Sequence, residues 1–231
     1  MTKWNRYEKG IDHNSPGESQ YCEQVGIGLA EVTIDPSHPA KLNSRRLADI
    51  LFTADEPRYG SVTALLEGSF IYLYGQIPGS CQVGVARVRA DRATIQSAYE
   101  RWDGTVWNPS RAAAPAPVFS DLPQGAIFRT MMFGLDTPFA FVGVSKWADS
   151  MIRVGRASRL EGPWDIREVG RAEGINYRKE FRYCIYPHPW ALPGKAQETS
   201  LMVTWSEHWP GGVVAGKLDF KKDATKNRDE I

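Results

Sequence analysis

The sequence predicts an all-β protein, specifically a β-propeller of four-stranded antiparallel blades. Three observations carry this: short runs of β-branched and aromatic residues, turn residues between them, and recurrence of the pattern along the chain. The chain is 42% hydrophobic, with 8 Trp, 9 Tyr and 9 Phe, while 21 Gly and 15 Pro supply the turns that many short strands need.

Residues 61–66 form the first clear strand, and Glu67-Gly68 turns the chain into residues 69–74, which are apolar, β-branched or aromatic almost throughout. A Gly/Pro loop leads to a third strand at 83–89. A polar stretch with helical character then leads to a fourth, at 99–107. The pattern repeats at 126–133, 139–144, 151–157 and 164–169, and a shorter copy follows at 183–186, 200–205 and 213–220. An earlier partial copy lies at 26–33. Aligning third strands at Gly26, Gln82, Ile152 and Gly212 gives steps of 56, 70 and 60 residues, the spacing of propeller blades. A two-sheet sandwich of similar strand number is the alternative.

The whole of 1–231 reads as one propeller domain of the five-bladed type that lacks most of its first blade. Residues 1–25 are expected to be irregular and the charged tail 221–231 frayed. A missing blade would leave an apolar face, covered by residues 1–25 or by self-association through the open edge.

Composition limits the partners. With 28 Lys plus Arg against 27 Asp plus Glu, no general field draws the chain to nucleic acid or to an anionic membrane. No run is apolar enough to span a bilayer, and Met1-Thr2-Lys3-Trp4-Asn5-Arg6 lacks the core of an export signal. As written the chain is expected to be cytoplasmic; secretion would need a segment upstream. Cys22, Cys81 and Cys184 fit neither a disulfide framework nor a zinc signature and read as buried thiols. There is no phosphate-cradling glycine loop, no GxSxG and no HExxH.

Several segments together resemble a family. They are Tyr59-Gly60-Ser61, Tyr72-Leu73-Tyr74-Gly75, Val85-Ala86-Arg87-Val88, the 99–107 segment with Trp102 and Trp107, Lys146-Trp147-Ala148-Asp149-Ser150, Leu160-Glu161-Gly162-Pro163-Trp164 and His188-Pro189-Trp190. From about Gly26 to Phe220 the chain is similar to uncharacterised, often fungal or bacterial, five-bladed propellers related to D-arabinan-degrading glycoside hydrolases. The resemblance implies a carbohydrate-active protein, usually exported, with acidic residues in a central funnel. A Gly-Asp-Thr element of the family's first blade is absent here.

In such a blade the loop leading into the innermost strand and the loop between the second and third strands share one face. That geometry would gather Glu56, Arg58, Tyr59, Gln124, Trp147, Asp149, His188, Glu207 and His208 at one mouth. Glu56 and Asp149 are the candidate catalytic carboxylates, because glycoside hydrolysis needs one carboxyl to protonate the leaving oxygen and another to activate water or attack. The other seven are the candidate substrate contacts. Asp149 equally suits a loop-closing role, and Glu56 an ion pair with Arg58 that pins the loop. Trp102, Trp107 and Trp164 read as packing, and Arg87 and Arg153 as ion-pair residues between blades. No cofactor is expected; a structural calcium would need several converging oxygens. Three functions remain open: a glycoside hydrolase, a non-catalytic carbohydrate-binding propeller, and a scaffold or small-molecule-processing propeller.

Overall fold

The computed structural model describes residues 2–7, 22–145, 149–174, 182–207 and 211–220. The described residues form antiparallel sheets with no α-helix. They divide into two compact units, Met1–Pro117 and Val118–Ile231.

In the first unit β1 (Thr2–Tyr7), β2 (Cys22–Asp35) and β3 (His38–Thr53) form a sheet in the order β1-β2-β3. Residues 1–25 are therefore not wholly irregular, since Thr2 to Tyr7 pair with Gly28 to Cys22. Such a strand is set by backbone partners, which local sequence does not advertise. The hairpin is closed by Asp35, whose carboxylate accepts the Ser37 amide at 2.9 Å. Beyond Leu29 the β2–β3 ribbon stands in solvent, with Val32 59%, Ile34 62% and Leu42 61% exposed. The polar run of β3, including Lys41, Asn43, Arg45 and Arg46, gives no inward-facing alternation, so the sequence carries no strand signal there. Gly26 accordingly lies within a middle strand rather than opening a third one.

The second sheet runs β4 (Thr63–Glu67), β5 (Phe70–Gln76), β6 (Gln82–Arg89), β7 (Glu100–Trp102) and β8 (Trp107–Asn108), each strand beside the next. The polar stretch before β7 forms two short 3-10 turns, Ala90–Arg92 and Gln96–Ala98. Asp103 closes the β7–β8 turn by accepting the amides of Thr105 and Val106 at 3.0 and 2.9 Å. Those bonds hold its carboxyl down at about 2. The core between the two sheets gathers Ile27, Leu51, Phe52, Leu73, Val88 and Tyr99.

After β9 (Pro117–Ser120), the second unit contains a four-stranded meander: β10 (Gln124–Arg129), β11 (Phe139–Val144), β12 (Met151–Ala157) and β13 (Asp165–Arg171). Every residue of β11 is buried, so this strand reads as an unbroken apolar run. A three-stranded sheet follows, with β14 (Arg182–His188), β15 (Ser200–Glu207) and β16 (Gly212–Asp219). Val142, Val144, Ile152, Ile185, Val203 and Trp205 close the core between these sheets.

The thiols correct one expectation, since Cys184 is exposed and Cys81 half-buried. Cys184 lies at a bulge with φ +53, which swings its side chain outward and turns Arg182 and Ile185 inward. The tail 221–231 lies outside the described residues.

Candidate functional site

The first unit places the segment leading into its meander beside the loop between the second and third strands. In the first unit Arg58 donates its amide to the Gln76 carbonyl at 2.9 Å. Gly75 permits this approach, because a Cβ there would collide with the Arg58 carbonyl and the Tyr59 nitrogen. In the second unit Gln124 pairs with Val144, and Asp121, Leu122 and Ser145 lie together at that end of the sheet.

Glu56 is buried, at 6% exposure. Its Oε1 accepts Arg101 Nη2 at 2.8 Å, and its Oε2 accepts Arg111 Nη2 at 2.8 Å and the Thr53 amide at 3.0 Å. Burial pushes the carboxyl up, but the bonds from Thr53, Arg101 and Arg111 outweigh it and hold the group below its ordinary range. Tyr59 is fully buried and packs edge-on against Phe52 at 5.2 Å. It is a core residue and not a platform for a sugar, and burial pushes its phenol up. Among the described residues neither Tyr59 Oη nor Arg101 Nε has a hydrogen-bond partner. Arg58 is half-buried.

In the second unit Asp149 is gripped by Arg153. Nη1 bonds Oδ1 at 3.0 Å, and Nη2 bonds Oδ2 at 2.6 Å. Oδ1 also accepts the Met151 amide at 3.0 Å, the loop-closing bond weighed from sequence. Arg153 first, despite partial burial, and then the Met151 amide and the Ser145 hydroxyl hold the Asp149 carboxyl below its usual range. Arg153 also bonds Glu168 Oε1 at 2.6 Å across β12 and β13. It is thus a bracket within its own sheet. Arg87 behaves alike, bonding Glu100 at 2.7 Å while its guanidinium lies 4.4 Å from the Trp107 ring centre.

Beside this network is a cleft of about 360 Å³. Phe119 offers it an aromatic side chain, and Ser120, Asp121, Ser145, Arg153 and Glu168 line it with hydroxyls and charges. These are hydrogen-bonding groups of both signs beside an apolar surface, suited to a polyhydroxylated ligand. Among the described residues no group of three or more His, Cys, Asp or Glu side chains is placed to hold a metal.

The remaining candidates scatter. Gln124 Oε1 accepts the Cys184 amide at 3.2 Å and so serves the β14 bulge. Glu207 is buried opposite Arg182, with Nε to Oε1 at 3.6 Å. Gly174 lies directly over this pair, since a Cβ there would overlap Arg182 Nη2 and Glu207 Oε1. His188 lies at the far end of β14, six residues from Arg182, or roughly 20 Å along an extended strand. It does not join Asp149 and Glu207 at one mouth, because residues 182–188 form a strand where sequence reading placed a loop at 186–188. His188 Nε2 meets Thr204 Oγ1 at 2.8 Å instead. Trp147 and His208 lie outside the described residues. The arginines Arg101, Arg111 and Arg153 are the functional-site neighbours that sequence reading underweighted; only strand register reveals whom they face.

No protein-family model matches the chain, and no curated protein does. Among solved structures the chain is similar to that of a "putative hydrolase" from Bacteroides ovatus, at 19% identity and a TM-score of 0.55. The likeness covers 88% of this chain and 54% of that one, so the chain spans about half the length of this structural neighbour. At this identity the likeness concerns the fold.

Proposed function

We propose that the chain is a propeller-type carbohydrate-binding protein whose sheets act as blades, with the cleft beside Asp149 as its glycan site. The observation that carries binding over hydrolysis is the state of the two candidate carboxylates. Glu56 and Asp149 are each clamped by arginine and held below the ordinary carboxylate range. A general acid needs the reverse, a carboxyl whose pKa is raised so that it carries a proton to the leaving oxygen. The blade reading is supported by successive antiparallel meanders, each closing an apolar core against the next sheet of its unit. The carbohydrate reading is supported by the cleft's mixture of an aromatic side chain, hydroxyls and paired charges.

Hydrolysis is the second reading, favoured by the provisional hydrolase assignment of the Bacteroides ovatus neighbour. On that reading an anionic Glu56 or Asp149 serves as base or nucleophile, and the acid is a different carboxyl.

Affinity electrophoresis in arabinan, xylan and β-glucan gels, with reducing-end release from the same polymers, separates the two. Retardation without release, lost in a Ser145→Ala/Glu168→Gln variant, is the expected result. Release abolished by Asp149→Asn would establish hydrolysis; neither retardation nor release would end the carbohydrate reading.

A further inference from the structure

We propose that the second unit binds a small organic carboxylate with an aromatic or branched apolar body, in a cavity on the β12–β13 face opposite Arg153 and Glu168. The cavity measures about 480 Å³, within the roughly 300–1,000 Å³ typical of small-ligand sites. Strand register gathers its polar side chains. Arg156 pairs with Asp165 and Val154 with Arg167, and residues that are paired, or two apart along a strand, point to the same face of a sheet. Arg153 and Glu168, one position out of step, stand on the other face beside Asp149. The cavity is therefore separate from the glycan cleft; Arg167 is the one residue common to the two linings.

The apolar part of the lining is anchored. Val154 belongs to the core, Phe133 and Phe220 pack against that core, and the two rings meet edge-on at 5.5 Å. Val169 adds a branched side chain that is 45% exposed. The charged part is equally ordered. Asp165 Oδ2 accepts Arg156 Nε at 3.2 Å and Arg167 Nη2 at 3.1 Å, while its Oδ1 accepts Arg167 Nε at 3.1 Å. Two guanidiniums thus face one carboxylate, which leaves the lining with an excess of one positive charge. A carboxylate on the ligand balances that charge and suits the planar donor fork of arginine. An inorganic anion would leave the rings wet, and a neutral apolar molecule would leave the charge unanswered, so the lining as a whole selects a ligand that carries both groups.

The test is an NMR titration of the intact chain with 3-phenylpropionate, set against acetate, which has the charge alone, and 3-phenylpropanol, which has the ring alone. 3-Phenylpropionate should saturate the site and bind about tenfold or more tightly than either control. Arg156→Gln and Val169→Glu should each weaken it by about tenfold, and Arg156→Lys by less, with the melting temperature unchanged because both positions are exposed. The Ser145→Ala/Glu168→Gln variant should bind 3-phenylpropionate as the wild type does, and Arg156→Gln should keep the polysaccharide retardation. Equal binding of 3-phenylpropanol would overturn the carboxylate pairing. No saturable binding by the wild type, or binding unchanged in both Arg156→Gln and Val169→Glu, would overturn the site and leave the glycan reading standing.

Discussion

Glu56 and Asp149 are both carboxylates in loops at the end of a meander, both are clamped by arginine, and they differ in burial. The Glu56 side chain is 7% exposed and its partner Arg101 2%, whereas Asp149 is 35% exposed beside an Arg153 at 16%. The first pair is enclosed in the unit's core, where each charge depends on the other for compensation. The second lies at a cleft, where water covers part of the cost. The same chemical motif therefore acts as a structural keystone in one unit and as part of a solvent-facing network in the other.

The sharpest way to break the comparison is to remove the buried anion. Glu56→Gln strands Arg101 without a counter-charge, and breaking a buried pair in this way costs about 3–5 kcal/mol. Urea unfolding should show that loss, and a cost below about 1 kcal/mol would place Glu56 among the solvent-screened pairs. Acid should do the same reversibly. The folded Glu56 carboxyl titrates below its ordinary value of 4.5, so its contribution is complete above that pH and fades as pH falls through the lower folded value. The Gln variant should therefore show a flatter acid limb than the wild type.

Asp149→Asn should cost less, about 1–2 kcal/mol, because Asn can still accept the Met151 amide while the charge-assisted grip on Arg153 is lost. Its acid dependence has the same sign, with stability lost as pH falls below the ordinary 3.8 towards the depressed folded value. Thermal melts of the two variants side by side would test the ranking; an Asp149→Asn loss equal to that of Glu56→Gln would erase the distinction drawn from burial.

What could be read from sequence follows the same division. β11 and β12 lie where their apolar residues put them, at Phe139–Val144 and at Met151–Ala157, because both pack into a core: β11 as an unbroken apolar run buried throughout, β12 with Arg153 and Arg156 interrupting its buried positions. β3 did not, because its polar ribbon answers to backbone pairing and not to a core. Among site residues, the loop-closing role of Asp149 and the ion pairing of Glu56 were legible as local chemistry. The identities of their partners were not, since Arg101 is 45 residues from Glu56 and only the fold brings them together. His188 was misplaced for a related reason: Pro187 resembles a loop residue, but it occupies a strand position paired with Val203.

The smallest effect sharpens the comparison most, because it separates the two arginines that share Glu56. Arg111 donates to Oε2 at 2.8 Å, yet its side chain is 51% exposed, so the geometry resembles that of Arg101 while the surroundings do not. An exposed partner of this kind contributes about 0–1 kcal/mol and is screened by salt. When Arg111 is replaced by alanine, Thr53 still donates its amide and hydroxyl to Oε2 at 3.0 and 3.1 Å, and Arg101 still holds Oε1. The carboxylate is not orphaned. Arg111→Ala should therefore lower stability by under about 1 kcal/mol at low ionic strength, and the difference from wild type should shrink in high salt. The Glu56→Gln loss should persist there, because mobile ions do not reach a buried pair. A salt-insensitive loss of several kcal/mol from Arg111→Ala would mean that both arginines act as one buried cluster, and the contrast between core and cleft would then lie in the number of charges gathered instead of their burial.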